Sequence, residues 1–151
     1  MPWEGDKVGK ASLIIIDTGY FVALFSKKDR SHKQALSLRS KIDKRSWITT
    51  WPVVTEVCHL LQKYAPQAQK PFLTLFHDGI IDVFNLHSVH FTKIVSLFEK
   101  YENLPIDLAD ASLVILAEEL SIGDIVSTDK RDFKVYRWND KNTFRNLMDD
   151  C

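Results

Sequence analysis

The sequence at residues 12–17 is Ser12-Leu13-Ile14-Ile15-Ile16-Asp17, a mostly β-branched apolar run that stops at an acid. A short apolar run without alternation is typical of a strand that is buried on both faces, as in a parallel sheet. Further strand patterns lie at 47–50, 80–84 and 125–128, and Val135-Tyr136 is a candidate last strand before a polar tail. Helical patterns separate the strands, at 20–26, 31–43, 52–64, 67–77, 90–101 and 108–120. This alternation predicts an α/β protein in which a parallel sheet carries helices on both faces.

The length and composition set further bounds. A chain of 151 residues fits one domain, and we expect residues 1–10 to be a flexible leader and residues 11–151 to be the domain. Lys and Arg together number 20, as do Asp and Glu, so the formal net charge is zero. No overall field attracts nucleic acid, and a nucleic-acid substrate would require a local basic patch or a metal ion.

The cysteine content and the hydrophobic runs indicate the compartment. Two cysteines, Cys58 and Cys151, are too few for the disulfide framework of a small secreted domain. No run of 18 apolar residues is present, which argues against a membrane span. We therefore predict a cytoplasmic protein that does not enter the membrane.

Acidic residues occupy the positions where an α/β sheet places a site, beyond the carboxyl ends of its strands. Asp17 and Asp129 each directly follow a predicted strand, although Asp17 could equally end the strand and cap the next helix. Glu56 lies at the border of an apolar helix stripe, where an ordinary solvated glutamate is the simpler interpretation.

A second pair of acids opens the helix predicted at 108–120. Asp107 makes an acceptable N-cap and Asp110 falls in the first turn, which the helix dipole favours. Either one could cap the helix while the other binds a ligand. Asp132, close to Asp129, could join a site or simply open a short helix.

Several carboxylates in one crevice would repel each other strongly unless a cation neutralises them or protons are retained. Oxygen ligands select hard ions such as Mg²⁺ or Mn²⁺. Such an ion lowers the pKa of bound water and stabilises charge on a phosphate, which suits phosphodiester hydrolysis.

Four blocks of sequence resemble a PIN domain, and among PIN domains they are most similar to the VapC-type toxin ribonucleases of prokaryotes. The likeness spans about residues 12–137, and its blocks are Ile14-Ile15-Ile16-Asp17-Thr18, Thr55-Glu56-Val57, Leu104 to Val114 and Ser127 to Phe133. The last two blocks are the more specific, because an Ala-Asp-Ala segment opens a helix and an acid–Phe segment follows a strand.

The resemblance implies a three-layer α/β/α sandwich, a divalent-metal-dependent endoribonuclease that uses Mg²⁺ or Mn²⁺, and an antitoxin protein as partner. By position, it assigns Asp17, Glu56, Asp110 and Asp129 to the family's acidic site. Two positions depart from the family pattern. Gly19 stands where Asn or Ser is frequent, and Ser127 stands where Thr is common.

Other interpretations remain open. A PIN fold could serve as a non-catalytic RNA-binding or interaction module, although all four acids are present. A haloacid-dehalogenase-type phosphatase also places an Asp after its first strand, but it needs a second Asp where this chain has Gly19. A plain α/β interaction module is the third alternative.

The sequence also suggests further surfaces. We expect a homodimer, because toxins of this type commonly pair and because Leu73, Leu75 and Phe76 lie in a middle helix. Lys130 and Arg131 follow Asp129 and could hold RNA phosphates, whereas Lys27, Lys28 and Arg30 fit a solvated loop. The four tryptophans, at positions 3, 47, 51 and 138, fit the core or the leader better than base-stacking platforms.

Overall fold

A five-stranded parallel sheet organises the chain in the computed structural model, which describes residues 12–150. Its strand order is β3-β2-β1-β4-β7, and every pairing is parallel. The five strands are β1 (Leu13–Ile16), β2 (Ser46–Thr50), β3 (Ile81–Phe84), β4 (Asp124–Val126) and β7 (Arg145–Asn146). The predicted parallel sheet is thus confirmed, while the predicted leader at 1–10 lies outside the described residues.

The central position of β1 explains its sequence. Each residue of Leu13–Ile16 is at most 1% exposed, and Ile15 pairs with Ile48 on one side and Ile125 on the other. A strand covered on both faces and both edges has no solvent side to alternate with, which is why the apolar run is continuous.

Seven α-helices flank the sheet in the part of the chain that the structure describes. They are α1 (Thr18–Phe25), α2 (His32–Ile42), α3 (Trp51–Tyr64), α4 (Gln69–His77), α5 (Phe91–Lys100), α6 (Leu108–Leu120) and α7 (Asp132–Val135). α1 packs on α2 and α3, whereas α5 packs on α6. Because parallel crossovers are right-handed, the β1-to-β3 connections cover one face and the β3-to-β4 connection covers the other. The predicted three-layer α/β/α sandwich is confirmed.

The end of β4 differs from the prediction. The strand stops at Val126, because the backbone of Ser127 forms its hydrogen bonds with the side chain of Asn146 and not with the backbone of a neighbouring strand. Asp129 therefore lies on a loop, three residues beyond the strand.

The C-terminal segment was predicted wrongly. Val135-Tyr136 is no strand: Asp132–Val135 forms α7, and the buried Tyr136 ring packs 5.2 Å from Phe133 in the manner of residues three apart on a helix. The expected polar tail instead folds into a hairpin of β5 (Arg137–Trp138) and β6 (Asn142–Thr143), followed by β7. Asn139 and Asp140, both with positive φ, turn this hairpin.

Two predictions about apolar side chains also need revision. Trp51 is 57% exposed and does not belong to the core. Of the residues expected to support a dimer, Leu73 is exposed, but Phe76 is half-buried with its ring 5.2 Å from that of Phe72. Phe76 therefore packs against the core instead of offering a free surface.

Within residues 12–150, no helix has both the length and the apolar character that crossing a bilayer requires.

Candidate active site

Asp17 lies at the carboxyl end of the central strand and is only 6% exposed. Its Oδ1 accepts a hydrogen bond from the Thr18 amide and its Oδ2 accepts one from the Ser127 hydroxyl, both at 2.7 Å. Burial raises the pKa of Asp17 to about 6, the two hydrogen bonds oppose the rise, and the charges of Glu56 and Asp129 add to it. Asp17 thus caps α1, as the structural alternative proposed, and is also the most buried acid of the site.

Ser127 connects two of the predicted site acids. Its hydroxyl donates to Asp17 and accepts from the backbone amide of Asp129 at 3.0 Å. The Asn146 side chain fixes Ser127 in turn, because its Nδ2 donates to the Ser127 carbonyl at 2.9 Å and its Oδ1 accepts from the Ser127 amide at 3.1 Å. The sequence analysis noted Ser127 only as a departure from a family pattern and did not identify Asn146, since β7 was not predicted.

The two acids at the start of α6 have different roles. The Asp107 side chain accepts from the Asp110 amide at 2.8 Å and is the N-cap, which leaves the Asp110 carboxyl group available. The Tyr136 hydroxyl donates to Asp110 Oδ2 at 3.3 Å. Burial holds the pKa of Asp110 well above its ordinary value, and the charges of Asp17 and Asp107 raise it further. Tyr136 is a site neighbour that the sequence analysis missed, because that segment was taken for a strand.

The loop after β4 presents Asp129 and Asp132 together. The Asp129 carboxylate accepts from the Asp132 amide at 3.2 Å, so Asp129 supports the start of α7. Partial burial and then the contact with Asp129 raise the pKa of Asp132. Asp132 therefore opens a helix, as its structural interpretation held, and also lies beside the site.

Glu56 projects from α3 and is half-buried. Burial is the main reason that its pKa is raised, with a further rise from Asp107 and a partial offset from Thr18. The Thr18 hydroxyl, although buried, has no hydrogen bond of normal geometry among the described residues. An unpaired buried hydroxyl beside carboxylates is an observation that favours a further polar ligand at this place, such as an ion with its water.

The raised pKa values of Asp17, Glu56 and Asp110 are not offset by any cation among the described residues. Between residues 12 and 150, none of the ion pairs involves Asp17, Glu56, Asp110 or Asp129. Carboxyl groups in such a setting hold protons that a divalent cation would displace.

The oxygen atoms of the four acids fit Mg²⁺ or Mn²⁺ in chemical type, but their spacing limits how many can bind one ion directly. All candidate ligands are oxygens, as hard ions require. No three His, Cys, Asp or Glu side chains in the described part of the chain are spaced to ligate one ion together. Mg²⁺ commonly uses one or two carboxylates and keeps several waters, so this arrangement would hold it partly through water.

Gly19 departs from the family pattern for a steric reason. A Cβ atom on Gly19 would collide with the hydroxyl of Thr128. The Thr128 side chain therefore occupies the space that a larger residue after Asp17-Thr18 would need, and it packs the loop of Asp129 against the first turn of α1.

Comparisons with known proteins agree with this architecture. A PIN domain family model matches residues 14–139. No curated protein matches the sequence significantly. Among solved structures, the chain is similar to VapC20 of Mycobacterium tuberculosis, described as a sarcin-ricin loop cleaving toxin, with a TM-score of 0.72 and 16% identity over 78% of this chain and 91% of that one. At this identity the likeness establishes the fold.

Proposed function

The chain belongs to the PIN domain family, and on that premise we propose that it is a divalent-metal-dependent endoribonuclease that hydrolyses RNA phosphodiester bonds. The observation that carries the proposal is the group of uncompensated acids at the carboxyl edge of the sheet, with Asp17 at its centre. An acid that is buried next to other acids destabilises the fold in its ionised form, so such a group is expected where a cationic ligand completes it.

In this proposal, Asp17 and Asp129 bind the ion, while Asp110 and Glu56 bind it or orient its waters. When bound, Mg²⁺ or Mn²⁺ lowers the pKa of a water nucleophile and stabilises charge on the phosphate. Ser127 orients the Asp17 carboxylate, and Tyr136 does the same for Asp110. The proposal allows any of the four acids to take a proton from the attacking water.

We also propose that the protein is the toxin of a toxin–antitoxin pair and forms a homodimer. The fold that it shares with VapC20, a toxin that cleaves an RNA loop, supports the first statement. For the dimer, α5 offers a better surface than the residues chosen from the sequence. Phe91, Val95 and Phe98, at helical spacing on α5, are 41–64% exposed.

The direct test is cleavage of single-stranded RNA by wild-type protein with Mg²⁺, with Mn²⁺ and with a chelator. Wild type should cleave only with metal, and Asp17→Asn and Asp110→Asn should lose cleavage. Asp107→Asn is the matched control: it lies on the same helix start as Asp110, and Asn caps about as well as Asp. If the chelator or Asp17→Asn leaves the rate unchanged, metal-dependent catalysis at this site is wrong, and a non-catalytic RNA-binding module becomes the better interpretation.

A further inference from the structure

Two surface grooves flank the acidic site, and their linings differ in chemistry. We call the first the aromatic groove: it contains Glu56 and Asp107 at the site and continues along Trp51, His59 and Leu108. We call the second the basic groove: it contains Gly19, two residues after Asp17, and Thr128, which precedes Asp129, and it continues along Lys28, Asp29 and Arg30.

Trp51 is an unusual residue for its position. It follows Thr50 at the carboxyl end of β2, where α3 begins, and 57% of its surface is exposed. Its indole Nε1 donates to Asn85 Oδ1 at 3.0 Å, which anchors one edge of the ring. Leu108, 47% exposed at the start of α6, lines the same groove. An anchored, exposed indole offers a flat apolar surface at little cost in side-chain entropy.

Lys28 and Arg30 lie in the loop between α1 and α2, and both are exposed. The sequence analysis interpreted them as a solvated loop. Their groove nevertheless reaches Gly19 and Thr128, so two cations lie along a surface that ends beside the chain segments that carry Asp17 and Asp129.

The charges of the chain restrict how it could hold RNA. The net charge is zero and the site itself is acidic, so attraction to phosphates alone is weak. Proteins that bind single-stranded nucleic acid combine a basic groove along the backbone with aromatic rings on which bases stack, and stacking does not depend on charge. Both components are present here, one in each groove.

We propose that a single-stranded segment of the RNA substrate crosses the acidic site from one groove to the other, with a base stacked on Trp51 and its backbone phosphates next to Lys28 and Arg30. This proposal rests on the proposed ribonuclease function. It adds that Trp51 binds a base on one side of the cleaved bond and that Lys28 and Arg30 bind the backbone on the other side.

The test measures binding of a labelled single-stranded RNA oligonucleotide over a series of salt concentrations, in the presence of Mg²⁺. The Asp17→Asn background prevents cleavage during the measurement. Into it we would introduce Trp51→Ala, Trp51→Phe or the pair Lys28→Gln and Arg30→Gln. Phe91→Ala is the matched control, because Phe91 is 64% exposed on α5 and lies outside both grooves. Since Phe91 also lies on the surface proposed for the dimer, light scattering would first establish that this variant keeps the oligomeric state of wild type.

Trp51→Ala should raise Kd about 5- to 150-fold, which is the range of one lost stacking contact. The slope of log K against log salt should not change, because no charge is removed. Trp51→Phe keeps a ring face and should recover part of the affinity, and Phe91→Ala should have no effect. The Lys28 and Arg30 pair should lower the slope by about 1.4, at about 0.7 for each phosphate contact to single-stranded nucleic acid.

The outcomes separate this proposal from the proposed function. If the protein with Asp17 intact cleaves RNA but Trp51→Ala changes Kd less than twofold, or no more than Phe91→Ala does, the stacking assignment is wrong and the ribonuclease function stands. If RNA binds with the predicted dependence on Trp51 but is not cleaved, the function fails and the binding assignment stands. If single-stranded RNA does not bind at all, or a duplex binds equally well, the proposed path is wrong.

Discussion

Asp17→Asn should make the metal-free protein more stable at neutral pH, although it should abolish cleavage. The pKa of Asp17 rises from 3.8 to about 6 on folding, chiefly because the group is buried. At 1.36 kcal/mol for each pH unit, that difference disfavours the ionised folded state by about 3 kcal/mol. Asn removes this penalty, but its Nδ2 cannot accept from the Ser127 hydroxyl, and the lost hydrogen bond costs about 1 kcal/mol. The net gain at pH 7.5 should be about 2 kcal/mol.

The sign of the pH dependence provides a second check. An acid whose pKa is raised in the folded state contributes stability that is fully present below the unfolded pKa and is lost as the pH rises through the folded pKa. The stability of wild type relative to Asp17→Asn should therefore fall by about 2.4 kcal/mol between pH 4 and pH 7, because a small part of the loss occurs below pH 4. The order of stability should reverse within that range, with wild type higher by about 0.5 kcal/mol at pH 4.

Urea unfolding in a chelating buffer, at several pH values, measures both quantities. Adding Mg²⁺ should stabilise wild type more than Asp17→Asn, since a ligand that binds only the folded protein stabilises it. The reasoning fails if Asp17→Asn is the less stable protein at pH 7.5 without metal, because the carboxylate would then be compensated within the fold itself.

Further predictions concern the helix cap, the packing beside the site and the dimer. Asp107→Ala should lower the free energy of unfolding by about 1 kcal/mol, whereas Asp107→Asn should change it little, and urea titrations would show whether the cap has this value. Gly19→Ala should lower the melting temperature, even though Ala favours helices by up to about 1 kcal/mol relative to Gly. Adding Thr128→Ala should restore much of the loss. A higher melting temperature for Gly19→Ala alone would contradict the steric argument. In light scattering, wild type should be a dimer that Val95→Glu dissociates and Leu73→Glu does not; the opposite pattern would place the interface on α4.

Local patterns in the sequence were sufficient for some features and insufficient for others. The apolar run before Asp17 predicted the central strand, and Asp107 and Asp110 predicted the start of α6, although their spacing did not decide which of them is the cap. β7 has only two residues and is a strand only because it pairs with β4, so no local sequence pattern could predict it. Asn146 was missed for the same reason. The Asn139-Asp140 pair was the one available sign that the C-terminal segment contains a turn.

The solvent exposure of individual side chains was the other property that could not be predicted from the sequence. The aromatic character of Trp51 suggested a core residue, but its position at the first turn of α3 places it beyond the sheet edge. The charges of Lys28 and Arg30 are visible in the sequence, whereas the groove that leads from them to the acids depends on how the α1–α2 loop lies against the residues around Thr128.

The bond between Asn146 and Ser127 bears on when the protein becomes active during its synthesis. A domain generally folds as a unit, so its site forms only after all the segments that build it have emerged from the ribosome. Asp17 emerges early, but the loop that orients it is held by a residue that is translated much later. A nascent chain that ends before Asn146 therefore contains Asp17 but lacks the residue that holds the Ser127 loop. In the proposed nuclease, this order of events protects the messenger RNA and the ribosome that are producing it until β7 has emerged and paired.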